Sequence, residues 1–318
     1  MYTQLFLLFA LIFTGYFLAK IGFLNEAVTL GINKMILYFA FPCLIALRLG
    51  TMELSAGLFG DFVIVTVLGA ASFVIFTLIA HGYYRLRGIR DKVSAPALLC
   101  SCMPNNGFIG YPVALVFMGN KGLLLMIAHG AIVFNVYVFT YAINFIRSSN
   151  QSEKLPMTKE RLMTLFLQVL LNPNIIAIVI GMTIYALNFS LDNPAGDYLG
   201  MISSMASPLA MIYTGAILAG NKISDIFKDP FAWEGSLLKL IIIPAIFFVL
   251  VMPLPISDAA RAILILGVSF PSAVIPVMLG QQEGVNTRQA SRIIFLSTFL
   301  SMATLPVIMF LIDYFLKI

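Results

Sequence analysis

Charge is what this chain has least of. Only 10% of its 318 residues are Asp, Glu, Lys or Arg, whereas a soluble domain carries about 25% because its surface must be hydrated. That shortage excludes an ordinary water-facing globule. Cysteine is also scarce: Cys43, Cys100 and Cys102 all lie in apolar runs, which indicates neither a disulfide framework nor a metal site. Cys100-Ser101-Cys102 is one residue too short for a redox CxxC. No P-loop, H-E-x-x-H or G-x-S-x-G pattern occurs, so neither an enzyme nor a cofactor is expected. All 14 acidic residues fall in loops or near the ends of apolar runs. A cation antiporter built on a mid-membrane carboxylate is therefore not expected. The net charge of +5 would suggest nucleic acid in a soluble protein. Here loop Lys and Arg serve to orient the chain in a bilayer, and no nucleic-acid partner is expected.

What is present is apolar. Hydrophobic residues make up 60% of the chain and the mean hydropathy is +0.98, so the solvent is lipid. Short polar interruptions divide the sequence into ten apolar spans, over residues 4–20, 28–48, 60–81, 93–118, 122–146, 168–189, 197–220, 234–254, 259–281 and 290–316. Each is near the 20 residues that cross a hydrocarbon core as a helix. The run from Gln4 to Ala19 has neither a basic leader nor a cleavage site, and reads as a retained first span. Residues 147–167 form a polar, cytoplasmic linker between a first five-span unit (1–146) and a second (168–318). Placing the loops after spans one, three, five, seven and nine on one side gathers 15 of the 19 basic residues there, counting Lys34 and Lys239 as lying near it. That bias places those loops inside and both termini outside a cytoplasmic membrane.

The halves repeat. Pro42 and Pro208 are 166 residues apart, and Pro104 and Pro271 are 167 apart; the same offset maps spans one to five onto six to ten. Because five spans cross the membrane an odd number of times, the second copy is inverted. Inverted repeats are a mark of alternating-access carriers. The expected fold is thus an all-α integral membrane protein of ten transmembrane helices, arranged as a 5+5 inverted repeat.

Helices four and nine are expected to be broken where they cross. Span four contains Met103-Pro104-Asn105-Asn106-Gly107-Phe108-Ile109-Gly110-Tyr111-Pro112. Proline, glycine and asparagine each weaken a helix, by lost donors, backbone freedom and competing amides. Span nine answers with Ser269-Phe270-Pro271-Ser272-Ala273-Val274-Ile275-Pro276. Open backbone at mid-membrane is tolerated only inside protein or around a wet cavity, and matched broken helices point to a carrier's binding site. Fresh helix N-termini near Gly107 and Ser272 carry partial positive charge, and Asn105 and Asn106 add neutral donors. Pro104, Asn105, Asn106, Gly107, Pro271 and Ser272 are thus the candidate contacts for a small organic anion. Asn135 either faces the same cavity or bonds to another helix. His129 reads as a structural histidine ahead of a proton relay. Pro42 and Pro208 bend their helices, around the site or simply in themselves.

These segments together resemble the auxin efflux carrier family, which includes bacterial malate and malonate permeases and the plant PIN auxin exporters. Gly15-Tyr16 through Phe23-Leu24, Tyr38-Phe39-Ala40-Phe41-Pro42, Asn106 through Pro112, Pro271-Ser272-Ala273 and Ser301 through Pro306 carry the likeness. The resemblance implies a scaffold of helices 1, 2, 6 and 7, and a transport domain of helices 3–5 and 8–10. It also implies a carboxylate bound beside the crossover, an elevator-like motion and a homodimer joined through the scaffold. Plant members carry an acid and a lysine four residues apart early in span three. Asp61 stands at the acid position but Val65 occupies the lysine's, which argues against auxin itself and against an acid–lysine coupling device. A sodium-coupled symporter of bile-acid type and a ligand-sensing membrane domain without flux are the alternatives.

Overall fold

A computed structural model describes residues 2–52, 55–88, 94–149, 158–220 and 223–318. Residues 150–157, the centre of the expected linker, and the basic Arg90, Lys92, Lys154 and Lys222 lie outside the described residues. Every regular element among those described is helical. In chain order these are α1 (Tyr2–Lys20), α2 (Glu26–Gly50), α3 (Ala56–Leu86), α4 (Ala95–Cys100), α5 (Asn106–Ser149), α6 (Lys159–Leu170) and α7 (Pro173–Ala186). There follow α8 (Pro194–Leu218), α9 (Ile223–Phe227), α10 (Pro230–Val251), α11 (Asp258–Ser269), α12 (Ile275–Gln282) and α13 (Arg288–Leu316).

Among the described residues seven helices, α1, α2, α3, α5, α8, α10 and α13, are each long and apolar enough to cross a membrane. An eighth candidate is the pair Leu162–Gln168 and Pro173–Ala186, bent by 58°. Exposed aromatics agree: Phe6, Phe13 and Phe17 on α1 are 70%, 55% and 62% accessible, a cost water would not tolerate but lipid does. The ten expected spans and these seven or eight differ at particular places. Span nine is split into α11 and α12, each too short alone, and the first arm of span four is the six-residue α4. The second arm runs on through α5 into the expected span five. There the backbone leaves helical geometry at Met118 and Gly119, whose φ of +60° suits glycine. Much of the second half of the expected linker is helical as well, because α6 begins at Lys159. The helix then stops where Asn172 caps α7 through its side chain and Pro173 opens it.

Three wide, π-type turns share one sequence cause. They span Ile36–Ala40, Asn106–Gly110 and Leu238–Ile242, each ending two residues before a proline: Pro42, Pro112 and Pro244. Proline has no N–H for the bond four residues back, and its ring crowds that carbonyl. Bonding five residues back relieves the crowding: Phe41 N donates to Ile36 O, Gly110 N to Asn105 O and Ile243 N to Leu238 O. Pro208, by contrast, sits inside the uninterrupted α8.

The chain divides into two compact units. Unit 1 comprises residues 1–60, 111–124 and 166–220; unit 2 comprises 61–110, 125–165 and 221–318. In unit 1, α1 and α8 touch backbone to backbone. A Cβ added to Gly15 would lie 2.0 Å from Ile212 O, and one added to Gly215 would lie 2.0 Å from Ile12 O. Small residues allow such close approach where lipid provides no hydrophobic drive between helices. In unit 2, Phe73 gathers Phe76, Phe134, Tyr137 and the His129 ring, and Tyr84 stacks on Phe231. Its loops are held by ion pairs, Arg292 to Asp229 at 2.5 Å and Arg147 to Glu283 at 3.1 Å.

Candidate functional site

The two breaks of unit 2 meet. After α4 the chain runs extended through Met103, Pro104 and Asn105; after α11 it runs extended through Phe270 and Pro271. The strands of peptide pass antiparallel, with Pro104 opposite Ser272. Asn105 N donates to Pro271 O at 2.8 Å, and Ala273 N donates to Met103 O at 2.9 Å. Each broken helix thus satisfies backbone groups of the other, which is what lets non-helical backbone survive in an apolar core. Six of the sequence candidates, Pro104, Asn105, Asn106, Gly107, Pro271 and Ser272, are brought together here.

Asn105 heads the second arm of span four. Its Oδ1 accepts from Phe108 N at 3.2 Å, as an N-cap does. That leaves its Nδ2 buried without a partner, although the residue is only 4% exposed. An unpaired buried donor costs about 1–3 kcal/mol. Two residues on, a Cβ placed on Gly107 would meet nothing within 4 Å, so there is open space at that turn.

Asn106 is tied differently from the expectation that both amides stand ready as donors. Its Nδ2 lies 2.9 Å from His129 Nδ1, and it is Oδ1 that is buried without a partner. His129 Nε2 lies 3.5 Å from Ser72 Oγ, whose own proton goes to Gly69 O. Ser72 therefore accepts from Nε2–H, Nδ1 is bare, and Asn106 donates to it. Were Nδ1 to carry a proton, the amide would turn over and present Nδ2 instead. The ring is fully buried with partners on both nitrogens. It is wedged between glycines: Cβ atoms on Gly267 and Gly69 would approach it to 2.9 and 3.2 Å.

Ser272 is the frame of the crossing. Its hydroxyl donates to Cys100 O at 2.5 Å and accepts from Ser297 Oγ at 3.0 Å, while its N–H donates to the same Ser297 oxygen at 3.1 Å. These bonds pin span nine to the end of α4 and to α13. Pro112 and Pro276 are buried just inside the following helices, each the second residue of its segment. Asn135 is half-buried on the stretch Val133–Tyr137 of α5, and the bonds that hold the crossing run through other residues. Pro42 and Pro208 belong to unit 1 and take no part in the crossing.

Sequence reading passed over Ser297 and Lys239. Ser297 carries no signal in an apolar helix beyond being polar. Lys239 was counted with the basic residues near the loops, but it is fully buried in α10, donating to Val268 O at 2.6 Å. A signal was available: the lysine interrupts the run Leu237 to Ile243 five residues before Pro244.

Comparison with known proteins finds membrane transporters. A family model described as membrane transport protein matches residues 1–309. An uncharacterized transporter of Methanothermobacter thermautotrophicus is 26% identical over 296 residues, covering 93% of both chains. A second, from Methanocaldococcus jannaschii, is 26% identical over 299 residues and 92% of both. A protein of Rhizobium meliloti named "Putative malonate transporter" is 25% identical over 315 residues, 96% of this chain and 93% of its own.

Proposed function

This chain belongs to the membrane transport protein family, and from that premise we propose that it moves a small mono- or dicarboxylate across a cytoplasmic membrane by alternating access. It is a multi-pass membrane transporter and not an enzyme. The observation that carries the substrate class is the unpaired, buried amide nitrogen of Asn105 at the head of a broken helix, with open space at Gly107 two residues on. A carboxylate oxygen supplies the acceptor it lacks, and the N-terminus of the arm favours negative charge without a fixed counter-ion. The anion also turns the Asn106 amide so that Nδ2 faces it, and His129 changes tautomer in response. Pro104, Pro271 and Ser272 hold the crossing peptides, Gly107 leaves the space, and Asn135 lines the same cavity. The malonate in the relative's name fits this chemistry.

The remaining architecture belongs to the same proposal. Ten helices in a 5+5 inverted repeat account for the 166- and 167-residue spacings. The compactness of unit 2 supports a body that carries the crossover, and unit 1, which holds α1, α2, α7 and α8, supports a scaffold. Dimerisation through that scaffold and termini outside complete the reading. Purified protein in liposomes tests the function: labelled malonate should accumulate saturably and exchange with unlabelled malonate. If neither malonate nor any of a panel of short carboxylates is taken up, the substrate assignment is wrong.

A further inference from the structure

Lys239 is the one charged residue among the fully buried large side chains of the described residues. It lies in the wide turn Leu238–Ile242 of α10, and its ammonium donates to the carbonyl of Val268 at 2.6 Å. Val268 is the penultimate residue of α11, the first arm of the broken span nine. The last four carbonyls of a helix have no partner within it and sum to a partial negative charge. In carriers with broken helices such carbonyl ends hold the coupling cation. Among the described residues no carboxylate pairs with this ammonium. The titratable groups within reach of its charge are Cys102 and His129, neither of them acidic in the carboxylate sense. His129 in turn touches Asn106. A buried charge inside a membrane protein without a counter-ion is a functional feature before it is a structural one.

We propose that Lys239 is a tethered cation occupying the carbonyl end of α11, where a dissociable metal ion would otherwise sit, so that its charge offsets the carboxylate held at the crossing, whose peptide begins within three residues of Val268. Its ammonium does two things. It closes the end of the half-helix, and it adds a full positive charge to the partial one that the N-terminus of the second arm brings to the anion site. The carrier then needs no sodium to bind its substrate. This rests on the carboxylate reading for its second part only; the cation site itself does not.

Two variants and one wild-type measurement test it. Lys239→Met keeps length and volume without charge, a replacement that buried charges commonly tolerate; Lys239→Ala empties the space. In detergent, without substrate, the thermal stability of wild-type protein should respond alike to sodium, methylammonium and choline chlorides at equal ionic strength. Lys239→Ala should gain a saturable rise in Tm with methylammonium or sodium that choline does not give. Malonate should bind the wild type equally well in all three salts, bind Lys239→Met about tenfold more weakly, and recover on Lys239→Ala when methylammonium is added. Saturable stabilisation of the wild type by sodium, or a Lys239→Ala protein indifferent to small cations, overturns the assignment. So does wild-type malonate affinity in Lys239→Met. A cation response in Lys239→Ala without malonate binding in any protein keeps the tethered cation and removes the carboxylate reading.

Discussion

Replacing Asn105 separates the two jobs its amide performs. Oδ1 caps the helix by accepting from Phe108 N at 3.2 Å, and Nδ2 is buried and unpaired. Serine caps helices about as well as asparagine, so Asn105→Ser keeps an acceptor for Phe108 N and deletes only the spare donor. Asn105→Ala deletes both, and loss of a cap costs about 1 kcal/mol. A hydrogen bond to a charged group contributes about 1.5–3 kcal/mol, which corresponds to roughly 10- to 100-fold in affinity. Both variants should therefore raise the malonate KM in proteoliposomes by that factor. Only the alanine variant should also lose stability, by about 1 kcal/mol, read as a lowered Tm in a thermal-shift assay. The free wild-type site carries an unmet donor, so without substrate the serine variant should be as stable as wild type or slightly more so. A serine variant with wild-type KM, at wild-type expression and Tm, would refute the reasoning, because the orphan nitrogen would then have no ligand to serve.

Ser272→Ala leaves Cys100 O without its bond, while Ser297 Oγ still accepts from the backbone N–H of residue 272 and donates to Ile294 O; at about 1–3 kcal/mol for the one buried orphan, Tm should fall, with transport lost in proportion to folded protein. Gly215→Val forces side-chain atoms into Ile12 O, already 2.0 Å from an ideal Cβ. Overpacking of about 1–3 kcal/mol or more should appear as aggregation in size-exclusion chromatography, whereas the same change at Gly31, where a Cβ meets nothing, should leave the elution unchanged. Arg292→Ala should cost about 1–3 kcal/mol, since Arg292 and Asp229 are 17% and 13% exposed and Asp229 would be left partly buried without its partner. Arg87→Ala, whose side chain is 57% exposed in its pair with Glu234, should leave Tm unmoved, as surface pairs contribute little.

How far the sequence could be read follows from what each residue's signal depends on. The breaks at Pro104 and Pro271 were legible because proline and glycine act on their own backbone, whatever surrounds them. Helix ends at Asn25, Asn172 and Asn193, which the pattern of spans left unread, rest on local bonds too: each asparagine accepts a backbone N–H two or three residues on. Lys239 was misplaced because its burial depends on Val268, 29 residues away on another helix; a charged residue near a span end reads as a loop anchor until that neighbour is known. Asn106 was read as a free donor because its partner, His129, is 23 residues distant and decides which amide atom remains.

Composition and pattern alone determined that this chain lives in lipid, that it is helical, and where its helices fail, since solvation of charge and the loss of backbone donors need no partner. Only the tertiary structure decided that the two failures pair as antiparallel peptides, and that Ser272 is spent on the frame while Asn105 keeps a donor. It alone drew a lysine to the carbonyl end of the split helix. Those are contacts between residues far apart in the chain, and a hydrogen bond's strength depends on distances that no one-dimensional pattern encodes.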